Sequence, residues 1–346
     1  MYAAAELNEN QPNGSTAAHR IPLRVTVLLT CALSIVGSAL IVLSYVCFKN
    51  SRSKARQILV HLSVVNLGAG LSDFLGGVLY FQFNYEEVGL SENDGKAVVC
   101  KILASVSLYC SLSSILWSAT LAAHLYFVLT GYVDVTRHLR LSYVFDYGLP
   151  VLFVVWFLST HRLGYNRHLA NCNVVYETAG RKDFVATVFG NDLLTYGAAV
   201  LISALSVSVR AQIREEMSRS DGDETYSSLR KVDTKFAVFP AAFVVLRIWR
   251  CLQIAWLIYN PEGHSTPAGI RYALAFLSGI GHTAQGITNA FLFVLLSAKV
   301  RKNFSHRLCP WTKHTSSSNG LSRRPIAPIE SMDSDLSNIK DSIMKC

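Results

Sequence analysis

The stretch LRVTVLLTCALSIVGSALIVLSYVCF, residues 23–48, decides the fold. Arg24, near its start, is its only charged residue, and it is long enough to cross a bilayer, which takes roughly 20 mostly apolar residues in a helix. Six more stretches of this kind follow, at 57–82, 98–130, 142–161, 184–208, 236–259 and 269–297. None of the gaps between them is apolar enough to hold another. The expected fold is all-α, a seven-transmembrane helix bundle over 23–297. A short N-terminal segment is expected at 1–22, a juxtamembrane helix at 298–311 and a disordered tail at 312–346.

An odd number of spans puts the two ends of the chain on opposite sides of the membrane, and charge says which is which. With the N-terminus outside, the inner loops and the tail as far as Lys313 carry 17 Lys and Arg, against nine on the outer segments. That asymmetry predicts N-terminus outside and C-terminus cytoplasmic. The composition agrees, since charged residues make up 16%, below the roughly 25% of a soluble domain. The net charge of +9 suits the anionic inner leaflet better than nucleic acid, because no basic patch mixed with aromatics stands in a soluble segment. Met1 to His19 lacks the apolar core of a cleavable signal, so the first span is expected to direct membrane entry. Asn13-Gly14-Ser15 is a glycosylation sequon on the outer side, and Asn303-Phe304-Ser305 is one on the inner side, where it is expected to stay unmodified.

The eight cysteines sort by depth. Cys31, Cys47, Cys110 and Cys251 lie within spans and read as small apolar packing. Cys100, at the outer end of span three, and Cys172, in the loop after span four, are alone on the oxidising face, and a disulfide between them is expected to tie that loop over the mouth of the bundle. Cys309 follows a basic amphipathic run from Lys299 to Arg307, a setting for S-palmitoylation or for an unmodified thiol.

Polar residues inside spans are costly and face the bundle interior. Span two carries Asn66 and Asp73, seven apart and so on one helical face; span four carries Asp146, and span five Asn191 and Asp192. Arg247 and Arg250 share a face of span six, and His282, Gln285 and Asn289 share one of span seven at i, i+3, i+7. By depth, Asp73, Asp192, Arg250 and His282 form an outer group, read as a ligand pocket. Asn66, Arg247, Gln285 and Asn289 form an inner polar network that couples helices. The other reading makes all eight interhelical fasteners, at about 0.6 kcal/mol per hydrogen bond.

Catalysis finds no support. The last span has no lysine before Lys299 to hold retinal; His61, His124 and His282 stand on three different helices without zinc-ligand spacing; and GxSxG, GxGD and phosphate-cradling loops are missing. No cofactor or metal is expected, and the chain reads as a non-enzyme. A transporter or channel lined by the same Asp, Arg and His residues is the alternative, although such folds show internal repeats that this chain lacks. Pro150 in span four and Pro240 in span six mark kinks.

Two motifs carry a family resemblance. Gln285-Gly286, followed by Phe291 to Val300-Arg301, is similar to the end of span seven in secretin, adhesion and slime-mould cyclic-AMP receptors, and Tyr147-Gly148-Leu149-Pro150 resembles their Trp-Gly-x-Pro. The rhodopsin-like signatures differ: Thr120 to Tyr126 lacks Asp-Arg-Tyr, and Asn289 to Phe293 lacks Asn-Pro-x-x-Tyr. Val27–Ser38, Ser51–Leu67 (with Asn66 where an Asp is usual), Lys235–Trp249 and Gly279–Arg301 also follow, in order, spans of orphan receptors of this group.

The resemblance implies a plasma-membrane, multi-pass G-protein-coupled receptor whose partner is a heterotrimeric G protein. The basic ends of spans five and six (Arg210 and Arg214; Arg230 and Lys231) are then the expected G-protein contacts. Secretin and adhesion receptors read ligands through large disulfide-bonded ectodomains, whereas about 22 residues without cysteine precede span one here. The expected ligand is therefore a small molecule, a lipid or a short peptide seen by the bundle mouth. Phosphates on Thr315 to Ser318 are expected to recruit an arrestin-like partner.

Overall fold

The computed structural model describes residues 14–47, 54–83, 95–129, 135–166, 171–174, 181–219, 238, 241–253, 255–256 and 268–296. Eight helical segments and one hairpin fill them. In chain order these are α1 (Gly14–Cys47), α2 (Lys54–Phe83), α3 (Gly95–Leu129), α4 (Val135–Ser159), β1 (Leu163–Asn166), β2 (Asn171–Val174), α5 (Arg181–Arg219), α6 (241–253), α7 (Ala268–Thr283) and α8 (Gln285–Leu296). Among the described residues, α1 to α5 each contain a stretch long and apolar enough to cross a membrane. The chain is an all-helical seven-transmembrane bundle.

The helices are apolar on the outside and polar within, as a hydrocarbon solvent requires. On α1, Leu29, Leu33, Val36, Leu40 and Leu43 face outward while Cys31, Ser34, Ser38 and Ile41 are buried. On α4, Val144, Phe145, Leu152 and Val155 face outward, while Asp146 and Phe157 are buried. Small residues on the inner faces let backbones approach closely, which is how helices pack where lipid is as apolar as leucine. α3 is the central post. It packs on α2, α4, α5 and both strands, and one cluster joins its Ile115 and Ala122 to Ala198 and Ile202 of α5 and Phe243 of α6.

A tight turn ends α4 and starts the hairpin. His161 takes the left-handed conformation (φ 54°), Arg162 N–H donates to Phe157 C=O at 2.9 Å, and His161 N–H donates to Leu158 C=O at 3.1 Å. This pair of bonds is the Schellman cap of a helix C-terminus. The chain then folds back as β1, antiparallel to β2 with Leu163 opposite Val174 and Tyr165 opposite Cys172. A disulfide joins Cys172 to Cys100 at the start of α3, Cα to Cα 5.2 Å. Both sulfurs lie in a buried cluster with Ala104, Leu108, Leu112, Phe157, Leu163 and Val174.

The seventh stretch, one run in the sequence, is two helical segments in the structure. Ala284 is a turn between α7 and α8, and the cause is a side chain from another helix. Gly286 N–H donates to Ser34 Oγ of α1 at 2.9 Å and so leaves its own helical ladder, a recognised way to break a helix. Gly286 must be glycine because Ser34 Oγ, Ser38 Oγ and Ser34 C=O occupy the space a Cβ would need. Gly281 stands likewise against the backbone carbonyl of Leu246 in α6. α5 continues past the apolar span to Arg219 and carries Arg210 and Arg214, the basic end of span five, on the extension. Asn13, Arg230, Lys231, Pro240 and Cys309 lie outside the described residues, as do the juxtamembrane segment 298–311 and the tail 312–346.

Gly286→Ala should separate α1 from α8 and lower stability by about 2 kcal/mol, read as a fall in the thermal midpoint of the detergent-solubilised protein. Gly148→Ala is the control, because its Cβ meets open space, and the midpoint should hold or rise slightly. His161→Gly should raise the midpoint, since it relieves a left-handed side-chain penalty of about 1 kcal/mol.

Candidate functional site

The polar side chains gather in three layers down the bundle. Nearest the disulfide is a small cavity of about 10 Å³, room for roughly one water. α3 contributes Ser107 and Ser111 to its wall, α5 Thr195, α6 Arg247 and Arg250, α7 His282 and β2 Asn173. Leu108, Leu112 and Ile115 of α3 supply the apolar surface. Asn173 is next to the disulfide-bonded Cys172, so the hairpin contributes to the wall of the cavity.

Asp73, predicted as a pocket residue, is buried behind this wall rather than in it. Ser107 Oγ donates to its Oδ1 at 2.6 Å, and His282 Nε2 stands 3.6 Å from its Oδ2. Ser111 Oγ approaches the same His282 nitrogen at 3.4 Å. The carboxylate thereby orients the imidazole from below, while His282 Nδ1 is buried with no hydrogen-bond partner among the described residues. Of the predicted outer group, the structure brings Arg250 and His282 to the cavity and places Asp73 against His282. Asp192 lies within α5 and its side chain is outside the described residues.

The second layer sits around Gln285. Arg247 Nη2 donates to Gln285 Oε1 across α6 and α8, and Gln285 Nε2 reaches Ser118 Oγ of α3 at 3.5 Å. Of the four residues expected in the inner group, Arg247 and Gln285 are in contact with each other, and Arg247 also lines the cavity above. Its long side chain belongs to both layers. Asn66 pairs elsewhere: Ser114 Oγ donates to its Oδ1 at 2.7 Å. Asn289 is buried in α8, and its Nδ2 has no partner among the described residues.

The third layer, absent from the sequence reading, is an aromatic cage around His61. The ring stacks on Trp117 at 4.9 Å between centroids and 13° between planes. Tyr147 Oη lies 2.8 Å from Nδ1 and Tyr143 Oη 2.9 Å from Nε2. Gln57 Nε2 donates to Tyr143 Oη at 2.9 Å. In the tautomer with its proton on Nδ1, His61 donates to Tyr147 and accepts from Tyr143; the other tautomer reverses both bonds. One sequence signal was available. Gln57 and His61 are four apart on α2, as are Tyr143 and Tyr147 on α4, so each pair shares a face. Asp146, on α4 beside Tyr147, accepts from Thr120 Oγ1 at 2.8 Å.

Among the described residues no group of His, Cys, Asp or Glu has the arrangement of a metal site. A bundle of spanning helices with an interior polar seam is a scaffold that membrane receptors and transporters share, and the family profile decides for a receptor. Residues 21–246 match the 7 transmembrane receptor (Secretin family). The chain belongs to that family, a family of multi-pass membrane receptors and not of enzymes. Among its relatives is the protein named G-protein coupled receptor 157 of Homo sapiens, 27% identical over 292 residues that cover 80% of this chain and 82% of that one. Its Mus musculus counterpart is 28% identical over 299 residues, 83% of this chain and 86% of the relative.

His61→Phe keeps the stacked ring but removes both tyrosine contacts, and should cost roughly 1–2 kcal/mol. In a double-mutant cycle with Tyr143→Phe the double variant should lose less than the sum of the two single losses, measured by thermal unfolding in detergent.

Proposed function

We propose that this chain sits in the plasma membrane with its N-terminus outside and relays an external signal to a heterotrimeric G protein. The observation that carries the reading is Arg247. It lines the cavity beneath the disulfide-tied hairpin and also holds Gln285, so whatever fills that cavity acts on the contact between α6 and α8. A ligand that prefers one arrangement of this contact shifts the balance between inactive and active bundles by its difference in affinity. Arg250 and His282 are the pocket residues of this reading, with Asp73 behind them against His282 and Asp192 one turn before Thr195 in α5. Asn66, Gln285 and Asn289 serve the inner network. At the opposite end, Arg210 and Arg214 on the extension of α5, with Arg230 and Lys231 further along the chain, are the G-protein contacts. The Ser/Thr-rich tail serves an arrestin-like partner, and Cys309 is a palmitoylation site beside the membrane.

The test is basal G-protein dissociation in cells across the four Gα classes, at matched surface expression. A signal in one class is expected, lost when Arg210, Arg214, Arg230 and Lys231 are changed together to Gln. Silence in all four classes, together with ion or solute flux in reconstituted vesicles, would replace the reading with a transporter or channel.

A further inference from the structure

Below the cavity, three buried polar atoms have no hydrogen-bond partner among the described residues. They are Ser38 Oγ on α1, Asn66 Nδ2 on α2 and Asn289 Nδ2 on α8. Their residues are 0%, 5% and 7% exposed. A buried polar group left bare forfeits the water it gave up, and native proteins rarely tolerate that.

Helix register brings the three to one level. On α1 and α2, which run antiparallel, Leu28 stands against Gly77 and Ile35 against Gly70. One turn further in on each helix are Ser38 and Asn66. The last span meets α2 in the same way. His282 stands 3.6 Å from Asp73, and seven residues further in on each helix are Asn289 and Asn66. The turn at Ala284 keeps this phase, because its N–H donates to Ile280 C=O and its C=O accepts from Thr288 N–H. α8 packs on both α1 and α2. Ser38 Oγ occupies part of the space a Cβ on Gly286 would need, one turn before Asn289.

From this convergence we infer that the junction of α1, α2 and α8 is a binding site for an internal water molecule. The water accepts from the two amide nitrogens and donates to Ser38 Oγ, and three bonds are the usual number for a buried water. Polar groups that share a level but stand beyond direct reach are the setting for such a bridge. The chemistry of the set favours water over an ion. All three groups are neutral, and an ion would have to leave its hydration shell for two amides and a hydroxyl. Asn66 Oδ1 already accepts from Ser114 Oγ at 2.7 Å. Turning that amide over exchanges the unmatched nitrogen for an unmatched oxygen, and water, both donor and acceptor, serves either. The site goes beyond the receptor reading above and does not depend on it.

The test uses the full-length protein in phosphatidylcholine nanodiscs with two readouts. The first is X-ray hydroxyl-radical footprinting, in which a bound water oxidises the side chains beside it. Leu62 and Leu292, buried one turn below Asn66 and Asn289, should be labelled more than Ile202, a buried control between α3 and α5. In the Asn66→Leu, Asn289→Leu double variant their labelling should fall to the Ile202 level. The second readout is the thermal midpoint. Each single variant should lower it by about 2–4 °C, and the double variant should lose less than the sum, because one water serves both amides. Should Asn66→Leu not fold, Asn289→Leu alone decides by the same loss of label. Labelling of Leu62 and Leu292 no higher than that of Ile202, labelling that survives in the variants, or losses that add would overturn the inference. No G protein enters this assay, so a protein that signals in cells yet shows no such label sinks the water site and leaves the coupling intact.

Discussion

In hydrocarbon a polar side chain has no partner except another part of the same protein, and this bundle is organised around that shortage. α3 meets it with hydroxyls. Ser107 serves Asp73 and Ser114 serves Asn66; the two serines are seven apart on α3, and the two acceptors are seven apart, in reverse order, on α2. Seven residues are two helical turns, so one antiparallel register satisfies both pairs at once, and sliding α2 along α3 would break both. Thr120 repeats the device with Asp146 of α4. Other hydroxyls turn back on their own helix, as Ser63, Ser72, Ser118 and Ser206 do to the carbonyls four residues before them. The polar seam thus fixes how the helices line up, which apolar packing against lipid cannot do.

The seam also joins what depth alone had separated. Counting residues along span six puts Arg250 with the pocket and Arg247 with the inner network. An arginine side chain spans more than one turn, and Arg247 reaches both. The cavity and the inner contact therefore share a residue, and no separate relay between them is required.

Much of this was legible in the sequence. Length and hydropathy marked the helices, and the position of two cysteines on one face marked the disulfide that the structure contains. Stripes at helical spacing identified Asn66, Asp73, Arg247 and Gln285 as interior. Their partners were not legible, because α3 carries serine at 105, 107, 111, 113, 114 and 118, and composition cannot say which of these faces an acid. His61 read as a lone histidine because its stacking partner, Trp117, comes from another helix. The break at Ala284 was invisible for the same reason: its cause is a hydroxyl on the first helix.

That last contact ties the chain's beginning to its end. Ser34 and Gly286 are 252 residues apart in sequence, and at a synthesis rate of about 5–20 residues per second the ribosome needs roughly 10–50 s to travel between them. Through that interval the first helix waits in the bilayer with its serine face uncovered, and the ring of helices stays open on one side. The seam between first and last helix is therefore the closing step of assembly. It is also the stretch on which membrane quality control has longest to act, and a chain that stops short of Gly286 leaves that seam open for good.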